Sequence, residues 1–315
     1  MEYDERVSMS IDFTNCVKLI NDFGGSEKKK KIIYNNEEYM IKFPDPIRER
    51  DNNLSYMNNQ FSEYIGCHIF ELCGIKAQKT LLGTYKDEDS GKIKVVVGCR
   101  SFQNDNLSLI EFNKIMLSIN TEKKANEKLE LNDIIETFKK ESKISDISNL
   151  NMFFNTIVID TLIGNGDRHE ENFGFVYDKN TQYKNLIFSP IYDCGSCLAP
   201  LISDERMKNL LNNESDFKAQ EYNLTYRYCN NGKKIFMHEF FNKPNNYLSN
   251  AIVKMFNKID LLKINNLIDN TEYISDVRKE YCKKAIKLRY DTILKPAYLE
   301  IHKFFLQANN NELLR

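Results

Sequence analysis

Tryptophan is absent from this chain and histidine occurs only four times, so a histidine inside a charged cluster calls for an explanation. An excess of one charge is missing too: 44 lysines and arginines face 45 aspartates and glutamates, a formal charge of -1. That balance removes the general electrostatic case for binding nucleic acid or an anionic membrane. Long apolar runs are also lacking. The most apolar stretch, MFFNTIVIDTLIG at 152–164, is too short to cross a bilayer and carries Asn155 and Asp160. The eight cysteines, at 16, 67, 73, 99, 194, 197, 229 and 282, lack the dense spacing of a disulfide framework and read as free, mostly buried thiols. The opening MEYDERVSMS is acidic and polar, unlike a signal peptide. These absences predict a cytoplasmic protein with no nucleic-acid or membrane partner.

What is present is ordinary globular composition, 42% hydrophobic and 28% charged over 315 residues, enough for one bilobal domain or two small ones. The first hundred residues favour strands. KKIIYNNEEYMIKF at 30–43 places two β-prone runs around a polar turn, and residues 79–102 repeat that pattern. Between them, residues 54–75 carry apolar side chains at helical spacing with a stop at Gly74. From about residue 103 the pattern turns helical, notably over 129–141, 149–164 and most of 247–310, with one embedded hairpin over 174–196. No repeat or low-complexity tract appears.

The densest polar cluster is GNGDRHEENFGF at 164–175, followed by PIYDCGS at 190–196. Asp167 and Asn172 stand five residues apart, the separation of an aspartate base and an asparagine metal ligand in a protein-kinase catalytic loop. Asp193 follows a β-prone run and can offer a carboxylate to the same metal. Upstream, Lys42 sits in the strand YMIKF and Glu63 lies 21 residues on, in the predicted helix. A strand lysine aimed by a helix glutamate is the phosphate anchor of a kinase small lobe. Gly24, Gly25 and Ser26 precede four lysines, Lys28 to Lys31. Small residues let backbone amides approach phosphate, and Lys28 can neutralise it.

LIGNGDRHEENFGF with FSPIYDCGS resembles the signature of the HipA-like kinases, whose loop runs Gly-Asn-x-Asp-x-His-x-x-Asn-Phe. NQFSEYIGCHIFELCGI resembles that family's small-lobe helix, and the likeness extends over about residues 20–200. The resemblance implies a bacterial serine/threonine protein kinase of α+β class. Its bilobal fold would be related to eukaryotic protein kinases and phosphatidylinositol kinases. A β-rich N-lobe would span 1–98, a hinge 99–102 and a mostly helical C-lobe 103–315. It further implies ATP and Mg²⁺, or Mn²⁺ in its place, and a protein substrate bearing the acceptor Ser or Thr, with autophosphorylation of the chain itself. Asp167 would be the base, Asn172 and Asp193 the metal ligands, Lys42 the phosphate anchor and Glu63 its partner, with His169 bracing the loop. Gly98, Cys99 and Arg100 would lie where the hinge meets the nucleotide, although the family's Arg-Phe-Asp is here CRSF. Several members are toxins. Longer members carry an extra N-terminal subdomain that docks an antitoxin; here the phosphate-loop candidate already stands near residue 23, which predicts a compact form and argues against an antitoxin partner.

Plainer readings stand beside these. A metalloprotease HExxH motif fails because Phe173 occupies the second histidine's position. CGSC at 194–197 has CxxC spacing with no second copy, so structural thiols are favoured over a redox or zinc site. The lysine run at 28–31 reads more simply as a solvated face, while for Glu63 the surface of an amphipathic helix is the lesser reading. Two rival functions remain: a lipid or small-molecule kinase of the phosphatidylinositol-kinase type, and an inactive nucleotide-binding pseudokinase.

Overall fold

The computed structural model describes residues 11–20, 29–44, 58–88, 91–119, 129–181, 183 and 186–303. Its first part is a five-stranded antiparallel sheet in the order β1-β2-β3-β5-β4, from β1 (Val17–Leu19), β2 (Lys29–Tyr34), β3 (Glu37–Lys42), β4 (Thr80–Lys86) and β5 (Ile93–Arg100). The turn between β2 and β3 is Asn35–Asn36, both at positive φ, 49° and 61°. Asparagine tolerates that geometry, and its twist matches the flanking strands. Alternation along β3 sends Tyr39 and Ile41 to a small core with Phe13, Phe43 and Tyr85, and turns Met40 and Lys42 to the opposite face.

Against that second face packs α1 (Asn59–Leu72). It ends in a Schellman arrangement: Gly74 at φ +75° donates to the Glu71 carbonyl and Ile75 to that of Phe70. The predicted Gly74 stop is thus a finding of the fold. Gly66 faces the segment around Cys194 so closely that a Cβ there would lie 2.7 Å from the Cys194 Cβ.

The remainder is mostly helical: α2 (Phe112–Ile119), α3 (Leu131–Lys140), α4 (Ile147–Ile163), α5 (Asp204–Leu211), α6 (Glu214–Tyr222), α7 (Met237–Asn242), α8 (Asn246–Phe256), α9 (Leu261–Asp269) and α10 (Asp276–Arg289), the last continuing through a π-helical turn at Tyr290–Leu294. Apolar on nearly every side, α4 runs through the main core. Its start is capped by Asp146, which accepts from the Ser148 amide at 2.8 Å, and its end by Gly164 at φ +69°. Arg289, fully buried, fastens that end: its Nε donates to the Leu162 carbonyl at 2.9 Å while Glu221 accepts from its Nη1.

Two departures from the sequence reading stand out. The region after residue 103 opens not with helix but with β6 (Leu107–Glu111), which pairs with β7 (Gly174–Asp178); β7 in turn pairs with β8 (Ile187–Phe188). The expected hairpin is therefore two strands of a three-stranded sheet whose third strand comes from far upstream. A further hairpin, β9 (Thr225–Asn230) and β10 (Lys233–Phe236), was not predicted, although Asn231-Gly232 between alternating residues is a strong hairpin signal. Of the helix expected over 247–310, residues 304–310 lie outside the described residues.

The Gly66 contact yields a test. Alanine at a helix interior normally gains up to about 1 kcal/mol over glycine, but overpacking a filled site costs about 1–3 kcal/mol. Gly66→Ala is therefore expected to be destabilising, by roughly 1–2 kcal/mol in a denaturant titration. A variant more stable than the parent would show that Cys194 yields freely and that the close approach is not a constraint.

Candidate active site

Lys42, at the end of β3, is 5% exposed, and Glu63 on α1 is fully buried. The lysine Nζ donates to Glu63 Oε2 at 2.9 Å and to Asp193 Oδ1 at 2.8 Å. Burial works against the ammonium's charge, but Asp193 and Glu63 outweigh it and push the Lys42 pKa well above its ordinary value. Asp193 has a half-open setting, with 44% of its side chain exposed. Lys42 beside it holds its carboxyl down to about 2, against an opposing effect of burial. Its backbone sits at φ +57°, a left-handed conformation costly for a residue other than glycine and tolerated best by Asp and Asn.

Several contacts bring Asp193 to this place. Ala77 and Ile191 form a parallel bridge, with the Gln78 amide donating to the Ile191 carbonyl at 2.7 Å. Ser62 Oγ on α1 donates to the Cys197 carbonyl, and Cys197 Sγ donates to the Ser62 carbonyl at 3.3 Å. Cys67, Cys194 and Cys197 are buried and free, as are five others of which only Cys16 is partly open. Burial raises the Cys197 pKa, and a Cys194 hydrogen bond with burial raises that of Cys67. Both therefore favour the unreactive thiol, and for Cys197, together with the burial of Cys194, this supports the structural reading of CGSC over a redox one.

The catalytic-loop candidates lie between α4 and β7. Asp167 Oδ2 accepts from Ser196 Oγ at 3.4 Å. Asn172 donates from Nδ2 to the Asp167 carbonyl at 2.9 Å, which leaves Oδ1 as the end of its amide able to ligate. His169 braces the loop locally, its Nδ1 accepting from the Glu171 amide at 3.3 Å.

The main brace is a residue that the sequence reading passed over. Arg168, 1% exposed, meets buried Asp160 of α4 in a two-pronged pair, Nε to Oδ2 at 3.0 Å and Nη2 to Oδ1 at 3.1 Å. Its Nη1 donates to the Asn172 carbonyl at 2.8 Å and also to the Tyr192 carbonyl, and Nη2 reaches Cys194 Sγ at 3.5 Å. One guanidinium thus ties together the residues expected to hold a metal, Asn172 and Asp193. Burial pushes the Asp160 carboxyl up, with Arg168 opposing, while Asp160 raises Arg168 against its own burial. Asn165 completes the cluster, donating to Asp160 Oδ1 at 2.8 Å and accepting from the Asp167 amide at 3.3 Å. No signal in GNGDRHEEN marked Arg168 as buried; Asp160, the lone acid of an apolar helix, was the available hint.

The hinge candidates are placed differently. Gly98, Cys99 and Arg100 are the last three residues of β5, Gly98 and Cys99 standing opposite Ile41 and Met40, and the guanidinium of Arg100 is held by Glu37. The connector continues to Phe102, whose ring lies 5.8 Å from that of Tyr192, next to Asp193. Gly24, Gly25, Ser26 and Lys28 lie outside the described residues. Within them, Lys29 is paired in register with Lys42 and also lowers the Asp193 pKa.

A nucleotide-bound Mg²⁺ takes few ligands from protein and keeps the rest from phosphates and water. One carboxylate and one amide oxygen, both hard donors, fit that demand. No cluster of three or more His, Cys, Asp or Glu able to hold a metal occurs among the described residues. No helix among them is long and apolar enough to cross a membrane.

A β-sheet lysine locked to a helix glutamate, facing an Asp-x₄-Asn loop and a following aspartate, defines the protein-kinase-like class. Within that class the chain belongs to the HipA-like family: residues 22–259 match the model of the HipA-like C-terminal domain. It is 35% identical over 310 residues to the serine/threonine-protein kinase CtkA of Helicobacter pylori, covering 96% of this chain and 93% of that protein. The crystal structure of the Helicobacter pylori proinflammatory kinase CtkA superposes with a TM-score of 0.86 at 34% identity, over 94% of this chain and 98% of that one. HipA from the Shewanella oneidensis toxin–antitoxin complex with HipB and operator DNA shares the fold, with a TM-score of 0.50 at 11% identity over 88% of this chain and 67% of that one. The expected α+β, bilobal kinase-like fold is thereby established.

The low pKa of Asp193 gives a pH prediction. A carboxyl held down in the folded state stabilises the fold above its ordinary value of 3.8, and that contribution is lost as pH falls towards about 2. Because the side chain is partly open, screening limits the contribution to roughly 1 kcal/mol. The Tm gap between the parent and Asp193→Asn should be constant at neutral pH and close between pH about 4 and about 2. A gap unchanged across that range would refute the ion pair.

Proposed function

We propose that this chain is an ATP- and Mg²⁺-dependent protein kinase that phosphorylates Ser or Thr of a protein substrate, itself included. The observation that carries the reading is the single site in which Lys42 meets both Glu63 and Asp193, with Arg168 joining Asp193's segment to the loop of Asp167 and Asn172. The likeness to CtkA, named a serine/threonine-protein kinase, supports it.

On this reading residues 1–98 form the nucleotide-anchoring lobe, 99–102 the hinge and 103–315 the lobe carrying the loop and metal site. Lys42, aimed by Glu63, grips α- and β-phosphate oxygens. Asn172 and Asp193 would hold a bound Mg²⁺, which would supply charge neutralisation at the phosphates. Asp167 orients the acceptor hydroxyl and takes its proton. The hydroxyl oxygen bonds to the γ-phosphorus as the β–γ bridging P–O bond breaks, and ADP leaves with the electron pair. Little covalent chemistry falls to the protein; positioning and charge stabilisation supply the rate.

Label transfer from γ-labelled ATP to the chain itself and to an acidic and a basic carrier protein tests this reading. Transfer by the parent should fall by at least about a hundredfold in both Asp167→Asn and Asp193→Asn. Full activity in Asp193→Asn would remove that residue from the metal site, and nucleotide binding without any transfer would leave a binding role.

A further inference from the structure

Beyond the phosphate-handling residues, the catalytic loop borders a second feature. A cavity of ≈ 930 Å³ opens on the side of Asp167 that faces the β9–β10 hairpin, and Ser196, Glu170, Thr225, Arg227 and Lys234 lie on its wall. Its width, roughly 10 Å if equal in all directions, admits about three residues of extended chain. The loop and the hairpin hold each other closely here, because Gly166 lies against the Thr225 carbonyl where no Cβ would fit.

Two observations say what would lie in this groove. Ser196 Oγ donates to Asp167 Oδ2 at 3.4 Å, so a serine hydroxyl can lie beside the proposed base on this side. Farther along, alternation in β9 buries Tyr226 and Tyr228 and turns Arg227 outward, while Lys234 stands exposed on β10. Among the described residues neither cation has an ion-pair partner. Glu170 and Glu171 line the side nearer the loop, Glu171 accepting from Asn113 Nδ2 at 3.1 Å, while the two cations stand across on the hairpin. With a whole-chain charge of -1, selection by charge must be local.

We propose that this groove binds the acceptor segment of the protein substrate, and that Arg227 and Lys234 select a Ser or Thr with Asp or Glu within about three residues of it. The proposal rests on the kinase reading above and gives that site its substrate class. Arg227 in particular offers a two-pronged donor to a carboxylate, and both cations are exposed enough to gain partners without losing any.

The test uses the full chain with three peptides that share one serine and differ only in flanking Asp, Ala or Lys. The parent should show a kcat/KM for the Asp peptide at least about tenfold above that for the Lys peptide. In Arg227→Glu/Lys234→Glu that ratio should invert, a change that mere loss of folded enzyme cannot produce. Transfer to all three peptides with no preference, or a ratio the double variant leaves in place, would overturn the groove assignment while leaving the kinase reading intact. Absence of transfer to any peptide or to the chain itself, with ATP still bound, would overturn both.

Discussion

A guanidinium in the interior must find a partner for every charge and most of its donors, because a buried unpaired charge costs several kcal/mol. Arg168 meets that demand by drawing on three pieces of chain: Asp160 of α4, the Asn172 carbonyl at the end of the catalytic loop, and the segment that carries the Tyr192 carbonyl and Cys194. Its own satisfaction thereby fixes where the loop stands relative to the metal segment. Removing one member of such a pair leaves the other charged and buried, at a cost of about 3–5 kcal/mol, so the arrangement resists drift. Asp167 and Asn172 are held by this knot together with their own contacts, the Asn172 Nδ2 bond to the Asp167 carbonyl and the Asn165 bond to the Asp167 amide. Arg289, holding the end of α4 through the Leu162 carbonyl, anchors it to α10.

The second buried cation does the opposite kind of work. Lys42 is gripped by Glu63, fully enclosed, and by Asp193, whose carboxylate is partly open to solvent. One partner fixes the ammonium and the other stands at the boundary where phosphates and metal would arrive. Close packing sets this boundary: Gly66 on α1 admits Cys194, and the exchanged hydrogen bonds between Ser62 and Cys197 clamp the same segment.

Much of this was legible in the sequence because it rests on local signals. The Asn-Asn turn, the Gly74 and Gly164 helix ends, the periodicity of α1 and the apolar run of α4 each announce themselves within a few residues, and spacing and resemblance pick out Asp167, Asn172, Asp193, Lys42 and Glu63 as the candidate set. What escaped was decided at long range. The strand β6 has a weak pattern of its own and is a strand because β7, more than sixty residues later, pairs with it. Arg168 sits amid exposed-looking polar residues, and it is buried by distant chain: α4 beneath the loop, the Tyr192–Cys194 segment and the Phe70 ring of α1. The β9–β10 hairpin was different: its Asn-Gly turn was readable, and it was passed over because the surrounding chain read as helical.

The central claim is that Lys42, Glu63, Asn172 and Asp193 form one nucleotide-and-metal site. A crystal structure with a non-hydrolysable ATP analogue and Mn²⁺ tests it most directly. The account predicts Mn²⁺ on the Asp193 carboxylate and Asn172 Oδ1, and Lys42 on phosphate oxygens with its Glu63 contact kept. The γ-phosphate would point towards Asp167. Nucleotide bound elsewhere, or metal ligated without Asn172 and Asp193, would contradict it.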